Sequence, residues 1–239
     1  MQRVEPNWPG DDRVAAFCTT RRGGVSEGAW ASMNIGANSG DDAGAVASNR
    51  ARLTAELPAE PRWLKQVHGR RVIHLAEWKT GIEADAAWTD RPGEVVAIQA
   101  ADCLPILLAN RDATIVAGVH GGWRSLAAGI IPRTLSALPG DGGELLAWIG
   151  PGICGRCYQV GDDVRSAFVD RDPLLAAAFQ FDGGRWRADL KWIAAHQLRA
   201  AGVAVFDSRR CTFEEAGAFY SFRRDGKTGR MVSVVWLKE

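Results

Sequence analysis

Apolar residues in this chain fall into short runs rather than long stripes. RVAAFCTT at 13–20 and RVIHL at 71–75 read as strands, and VVAIQAAD at 95–102 and TIVAGV at 114–119 are stronger examples, the latter rich in β-branched residues. LLAWIG at 145–150 and VAVFD at 203–207 follow the same pattern. Apolar runs of this length bounded by turn residues are the signature of buried strands. Helical spacing appears at 42–56, where Val46, Leu53 and Leu57 recur and Asp41 or Asp42 can cap the first turn. It appears again at 123–138, where Pro132 is expected to kink or interrupt the helix. Two further helices are predicted over 161–180, opened by Asp162 or Asp163, and over 188–201, opened by Asp189.

Three segments carry turn signals. Residues 84–89 lead into a turn at Pro92-Gly93. FYSFRRDGKTGRMVSVVWL at 219–237 predicts a hairpin turning at Asp225–Gly229. Residues 21–42 are glycine-rich without apolar period, and a loop this long in a compact domain is functional or disordered. Helices and strands mix without strict alternation, and no repeat, linker or low-complexity tract interrupts them. The pattern predicts a single α+β domain over 1–239 with layered sheets.

Composition narrows the function classes. Hydrophobic residues make up 46% and charged residues 24%, enough apolar surface for a substantial core. The formal charge of +1 offers no attraction to nucleic acid or an anionic membrane. No stretch approaches a membrane span, and the polar start MQRVEPNWPGDDR is no secretory signal. The expected location is the cytoplasm. Five cysteines in a chain this long do not suggest a disulfide framework.

The chemistry concentrates in three residues: His68 in KQVHGRRV, Cys103 in QAADCLPILLAN and His120 in VAGVHGGWRSLAAGI. Cys103 follows one apolar strand and His120 ends another, with Gly121-Gly122 behind it. Strand ends hold position while loop backbone can approach a ligand. Two imidazoles and a thiolate suit one zinc ion, and three protein ligands leave a fourth position open for chemistry. Taken singly, each has a bland alternative: a buried cysteine is usually a small apolar residue, and a histidine near a strand is usually just hydrogen-bonded. Arg21, Arg22, Ser26 and Asn34 sit among loop glycines, where either anion or sugar contacts or plain solvation would explain them. The helix after His120 aims its N-terminal dipole and Arg124 toward the same region, where an anion can be held.

Other motifs are weaker. Cys154-Gly-Arg-Cys157 is a CxxC without a thioredoxin-like helix or a second CxxC in the sequence. The H-x-E and P-C-x-x-C signature of zinc nucleobase deaminases is absent. There is no P-loop, dinucleotide fingerprint or G-x-S-x-G. Four histidines cannot supply a multicopper cluster, so copper is less favoured than zinc.

Nearly end to end, the chain resembles the YfiH-like or laccase-domain family. The resemblance rests on TTRRGGVSEGAWASMNIG, KQVHGRRV, ADAAWTDRPGEVVAIQAADCLPILL, VAGVHGGWRSLAAGI, AWIGPGICGRCYQVGDDV and FYSFRRDGKTGR. It implies a one-domain layered α/β/β/α sandwich and zinc ligands at His68, Cys103 and His120. It also places motif residues at Arg21, Asn34 and Arg124. The chain departs from the family's usual pattern in having HGGWRS for HAGWRG, and Gln159 where an acidic residue is common.

Three activities follow from the resemblance. The first is a zinc-dependent purine nucleoside enzyme. It would cleave adenosine, inosine, guanosine or methylthioadenosine with phosphate, and deaminate adenosine. Arg21, Asn34 and Arg124 would bind substrate and phosphate, and Cys103, Arg124 and Asp102 would serve catalysis. Asp102 would move a proton, orient its loop or support the metal. The second is an amidase editing UDP-MurNAc-linked cell-wall precursors. The third, copper-dependent polyphenol oxidation, is disfavoured by the histidine count. A fourth reading, from the residues, is a non-enzymatic protein with structural zinc. The expected partner is a small molecule, with no nucleic acid or membrane.

Overall fold

The structure is a computed structural model that describes residues 1–140 and 145–239. In chain order its elements are β1 Arg3–Val4, β2 Val14–Thr19, α1 Ala43–Thr54, β3 Val72–His74, β4 Ala86–Thr89, β5 Val96–Ala100, β6 Leu104–Asn110 and β7 Val116–Gly121. There follow α2 Trp123–Ala127, α3 Ile130–Ala137, β8 Leu145–Ile149, β9 Gln159–Val160, α4 Asp162–Val169, β10 Phe179–Asp182 and β11 Arg185–Ala188. The chain closes with α5 Leu190–Ala200, β12 Ala204–Asp207, α6 Phe222–Asp225 and β13 Met231–Leu237.

Two sheets stack through the centre. The larger has the order β12-β8-β6-β7-β4-β3 and is mixed, with parallel pairs only at its two edges. The smaller, β1-β2-β13-β5, is antiparallel. Strand alternation assigns the faces. Leu104, Ile106 and Leu108 of β6, with Val119 of β7, point to a layer built by α2, α3 and α5. Leu107, Val116 and Trp148 point the other way, onto Val96, Ile98, Met231 and Val235 of the second sheet. That sheet's far face, with Ala97, Val232 and Val234, packs on Leu53 of α1 and on Met33 and Ile35 of the loop before it. The layers therefore run helix, sheet, sheet, helix, the α+β sandwich that the family resemblance implies. A third sheet, β10-β11-β9, flanks the helical side.

The sheets approach closely at Gly118, where a side-chain carbon would lie 2.8 Å from Val96 and 2.9 Å from Ile98. Among the described residues, no helix is long and apolar enough to cross a membrane.

Several sequence expectations change. The 123–138 helix is two helices, α2 and α3. The break is at Gly129, with φ of 83°, and Pro132 sits harmlessly in the first turn of α3. The 161–180 helix ends at Val169, and a 3-10 segment from Pro173 leads into β10. LPILLAN is a separate strand, β6, that the short break at 101–103 after β5 and Pro105 near its start hide in the sequence. The C-terminal hairpin does not form. Ser221 caps α6, accepting from the Arg224 amide, and β13 instead inserts between β2 and β5. A hairpin does occur at β10–β11, turning through Gly183-Gly184 with both φ positive.

Buried side chains tie down the long 21–42 segment, and one of them comes from α1. Asn49 of α1 is fully buried; it accepts from Val25 N (2.9 Å) and donates to Ser26 Oγ (2.9 Å), Ser32 O (3.0 Å) and Asn34 O (2.8 Å).

Candidate metal centre

The centre is assembled where β4, β7 and β6 end side by side. Leu104 pairs with Gly121 and Pro105 with His120, so Cys103 lies just beyond the pair that closes the β6–β7 ladder. Ala86 pairs with Val119, which places Asp85 beside His120 on the other side. His68 arrives from the loop preceding β3, the strand that runs parallel to β4. The donor atoms of His68, Cys103 and His120 all lie within 4.8 Å of one another and can hold a metal ion. Cys103 Sγ is 3.7 Å from His68 Nε2, and the two imidazole centroids are 4.7 Å apart. Gly122 must be glycine here, because a side-chain carbon would sit 2.8 Å from the His68 ring and 3.3 Å from Cys103 Sγ.

Asp85 organises the trio. It is fully buried and accepts from His120 Nδ1 at 2.8 Å. It also accepts from three successive amides, Val67 N (3.2 Å), His68 N (2.9 Å) and Gly69 N (2.7 Å). Successive amides converging on one anion form a nest. Their convergence requires the left-handed backbone of His68, with φ of 58°, a conformation that costs about 1–3 kcal/mol and persists only where its surroundings over-determine it. Because a carboxylate can only accept, Nδ1 of His120 carries a proton and Nε2 remains as its donor atom. Composition and period do not mark Asp85. The signal was an isolated acid among alanines, A-D-A-A, opening a buried strand.

The electrostatics follow from this arrangement. Burial pushes the Cys103 thiol up, but the charge and hydrogen bonds of His120 and His68 outweigh it and bring it down to about 6. Burial disfavours the His120 imidazolium, yet the Cys103 thiolate and the Asp85 carboxylate raise it to about 9. Burial likewise raises Asp85, and the His120 contact with the Gly69 and Val67 amides more than reverses this, holding it below its ordinary range. The Cys103 thiolate is already the form a metal needs, whereas the His120 imidazolium of the metal-free trio must give up its Nε2 proton when a metal takes that place. Two imidazoles and one thiolate fit a single zinc ion with an open position. The remaining histidines lie elsewhere: His74 faces Asp90 at 3.1 Å and His196 stacks on Trp192 at 5.1 Å. Among the described residues, His68 and His120 are the only histidines that share a candidate metal group.

The trio lies in a cleft of about 690 Å³. Trp63 and Phe222 supply aromatic walls, and Arg50, Arg124 and Arg230 supply positive charge. Arg124 is where the sequence expectation puts it. The other expected residues have different work. Asn34 is fully buried and does not line the cleft. Its amide donates to Ser39 Oγ and Asp41 Oδ2, both at 2.8 Å, and its oxygen accepts from the Gly36 and Arg230 amides. Arg21 also lies off the cleft, donating to Ala31 O (2.9 Å) and Ala216 O (3.1 Å) with its guanidinium over Tyr220. Asp102 is buried at φ of 94°, and both carboxylate oxygens are engaged, by Thr212 Oγ1 (2.7 Å) and Arg223 N (2.6 Å). These bonds tie the Asp102 carboxylate to the Thr212 and Arg223 loops. Arg50 and Arg230 were not expected, since nothing in RARL or KTGR separates them from solvated arginines.

Residues 15–238 match the family described as multi-copper polyphenol oxidoreductase laccase. The chain is 45% identical to a Pseudomonas aeruginosa protein named purine nucleoside phosphorylase PA4543, covering 99% of this chain and 98% of that one. It is 44% identical to the Escherichia coli purine nucleoside phosphorylase YfiH, over 98% of each. Among solved structures, Neisseria meningitidis protein NMB0706 superposes with a TM-score of 0.96 at 39% identity, over 100% of both chains. YlmD from Geobacillus stearothermophilus gives a TM-score of 0.89 at 31% identity, over 100% of this chain and 97% of that one. A family match across nearly the whole chain, full-length relatives and a shared fold lead to one conclusion: the chain belongs to the YfiH-like, laccase-domain family.

Proposed function

We propose that residues 1–239 form one domain that acts in the cytoplasm as a zinc-dependent purine nucleoside enzyme. It would cleave adenosine, inosine, guanosine or methylthioadenosine with phosphate, and deaminate adenosine. The observation that carries this reading is the convergence of His68, Cys103 and His120 in a cleft that also presents aromatic walls and arginines. Relatives of nearly equal length carry the name purine nucleoside phosphorylase. Five free cysteines suit a reducing compartment.

His68, Cys103 and His120 would hold the ion. Zinc bound by three protein ligands supplies Lewis acidity and lowers the pKa of water, the chemistry deamination needs. Asp85 keeps the His120 tautomer and, through the three amides, the His68 backbone in place. Trp63 and Phe222 offer flat apolar faces to a purine. Arg124, and Arg230 beside it in the same cleft, replace Arg21 as the phosphate-binding pair, since guanidinium forks bind phosphate in bidentate fashion. Their charge favours an attacking phosphate at the ribose carbon and stabilises what develops there. Asn34 and Asp102 contribute by holding the loops that bear Arg230 and Cys103.

The test is incubation of the purified zinc-loaded protein with adenosine, with and without phosphate. Adenine and ribose 1-phosphate, or inosine and hypoxanthine, are expected, and Cys103→Ala should abolish them. Absence of all these products, or an unchanged Cys103→Ala variant, overturns the reading.

A further inference from the structure

The fold makes a second metal-ligand group from residues that the first centre does not use. Cys154 and Cys157 lie on the turn after β8, and Cys211 and Glu214 on the loop after β12. The two loops are tied by a parallel bridge between Gly152 and Cys211 and by the Thr212 amide donating to Gly152 O at 3.2 Å. Within the first, the Cys157 amide donates to Cys154 O at 3.0 Å, closing a tight turn that brings its two cysteines together. Within the second, the Glu215 amide donates to Cys211 O at 3.0 Å, which does the same for the C-x-x-E pair.

One sulfur from each cysteine and one oxygen of Glu214 all lie within 4.8 Å of one another. A tetrahedral zinc with sulfurs at about 2.3 Å sets its ligand sulfurs about 3.8 Å apart, so small side-chain rotations suffice. Cys211 Sγ already accepts the Cys154 amide at 3.4 Å, and Cys157 Sγ is 3.6 Å from Glu214 Oε1. Three thiols and a carboxylate exceed what a redox dithiol requires. Thiolate ligands select zinc over hard cations. Part of the negative charge of such a set is met by Arg156, which grips Glu214 at 2.9 and 3.1 Å.

We propose that Cys154, Cys157, Cys211 and Glu214 form a second, structural zinc site. All four positions are protein ligands, which closes the site to substrate. Its purpose is visible in what the two loops hold. The Ile153 amide donates to Asp102 O at 2.9 Å, and Thr212 Oγ1 donates to Asp102 Oδ1 at 2.7 Å. Asp102 is the left-handed residue immediately before Cys103. A metal that staples the loops of Ile153 and Thr212 therefore braces the backbone that presents Cys103, making these four residues positioning residues for the first centre.

Metal quantitation on the full chain, purified reduced and without chelator, tests this independently of any activity. About two zinc equivalents are expected for the wild type, and about one for each of two double variants, Cys154→Ser/Cys157→Ser and His68→Ala/His120→Ala. The His68→Ala/His120→Ala variant loaded with cobalt should show intense thiolate-to-metal charge transfer, which a water- or imidazole-bound ion would not give. That measurement stands even if the cysteine variant fails to fold. No zinc bound by His68→Ala/His120→Ala, or a disulfide among Cys154, Cys157 and Cys211 in the native protein, overturns the proposal.

Discussion

At the scale of single residues, Asp85 and the arginines carry the most consequence. Asp85 fixes one imidazole through Nδ1 and the other through its backbone. Asp85→Asn should weaken zinc binding by about 10–100-fold, as loss of such an outer partner typically does. Competition with a chromophoric chelator measures this. The same carboxyl gives the metal-free protein an acid-sensitive stability. Its folded pKa lies below the ordinary value of about 3.9, so its contribution is complete above that pH and is lost as pH falls through the folded value. Urea midpoints of the metal-free wild type should decline over that window more steeply than those of Asp85→Asn. For the arginines, Arg124→Ala and Arg230→Ala should each raise KM for phosphate while leaving KM for nucleoside nearly unchanged. Steady-state kinetics with each substrate varied separates the two. Arg21→Ala should leave phosphate KM alone, because Arg21 does not line the cleft that Arg124 and Arg230 share with the trio.

At the scale of elements, the sequence shows strands well and their partners poorly. The runs around 96–100, 116–121 and 145–149 stand out because burial on both faces demands continuous apolar residues, while 14–19 and 204–207, apolar but only half-buried over much or all of their length, are marked by their β-prone composition. The helix caps Asp42 and Asp189 are equally legible, each accepting from the third helical amide as the spacing predicts. The C-terminal segment misleads. FYSF is β-prone, but Arg224 donates to Thr212 O, Phe213 O and Phe219 O and secures α6 instead, a tertiary contact outweighing local preference. The 21–42 loop looks free for the same reason in reverse, since one of the residues that tie it down lies beyond it on α1. Asn49→Ala would leave Val25 N and Asn34 O without these partners, each costing about 1–3 kcal/mol, and would remove one of the two bonds to Ser32 O. The expected result is a lower melting temperature together with new proteolytic cleavage between 21 and 42, read by mass spectrometry.

At the scale of the whole molecule, two sheets must press together so that β4, β6 and β7 end at one rim. Gly118 is the point of closest approach, with Val96 and Ile98 where its side chain would be. Gly118→Val should destabilise by about 1–3 kcal/mol or more by overpacking, seen as a lower urea midpoint with little change in slope. The loop that carries Cys103 meets the loops of the second candidate group at Asp102. One group gathers residues 68, 85, 103 and 120 and the other residues 154, 157, 211 and 214, each from distant parts of the chain.

The amino-acid order alone determined most of the buried strands, the starts of α1 and α5 behind their Asp caps, and that Cys103 and His120 stand at strand ends. Those are local properties of hydrophobic period and capping. Only the tertiary structure decided that Asp85 lies under His120, that Arg230 reaches the cleft in place of Arg21, and that Cys154 and Cys157 meet Cys211. Each of these depends on which strand pairs with which, and pairing is set by sheet register and layer packing across the whole molecule, where no local pattern records it.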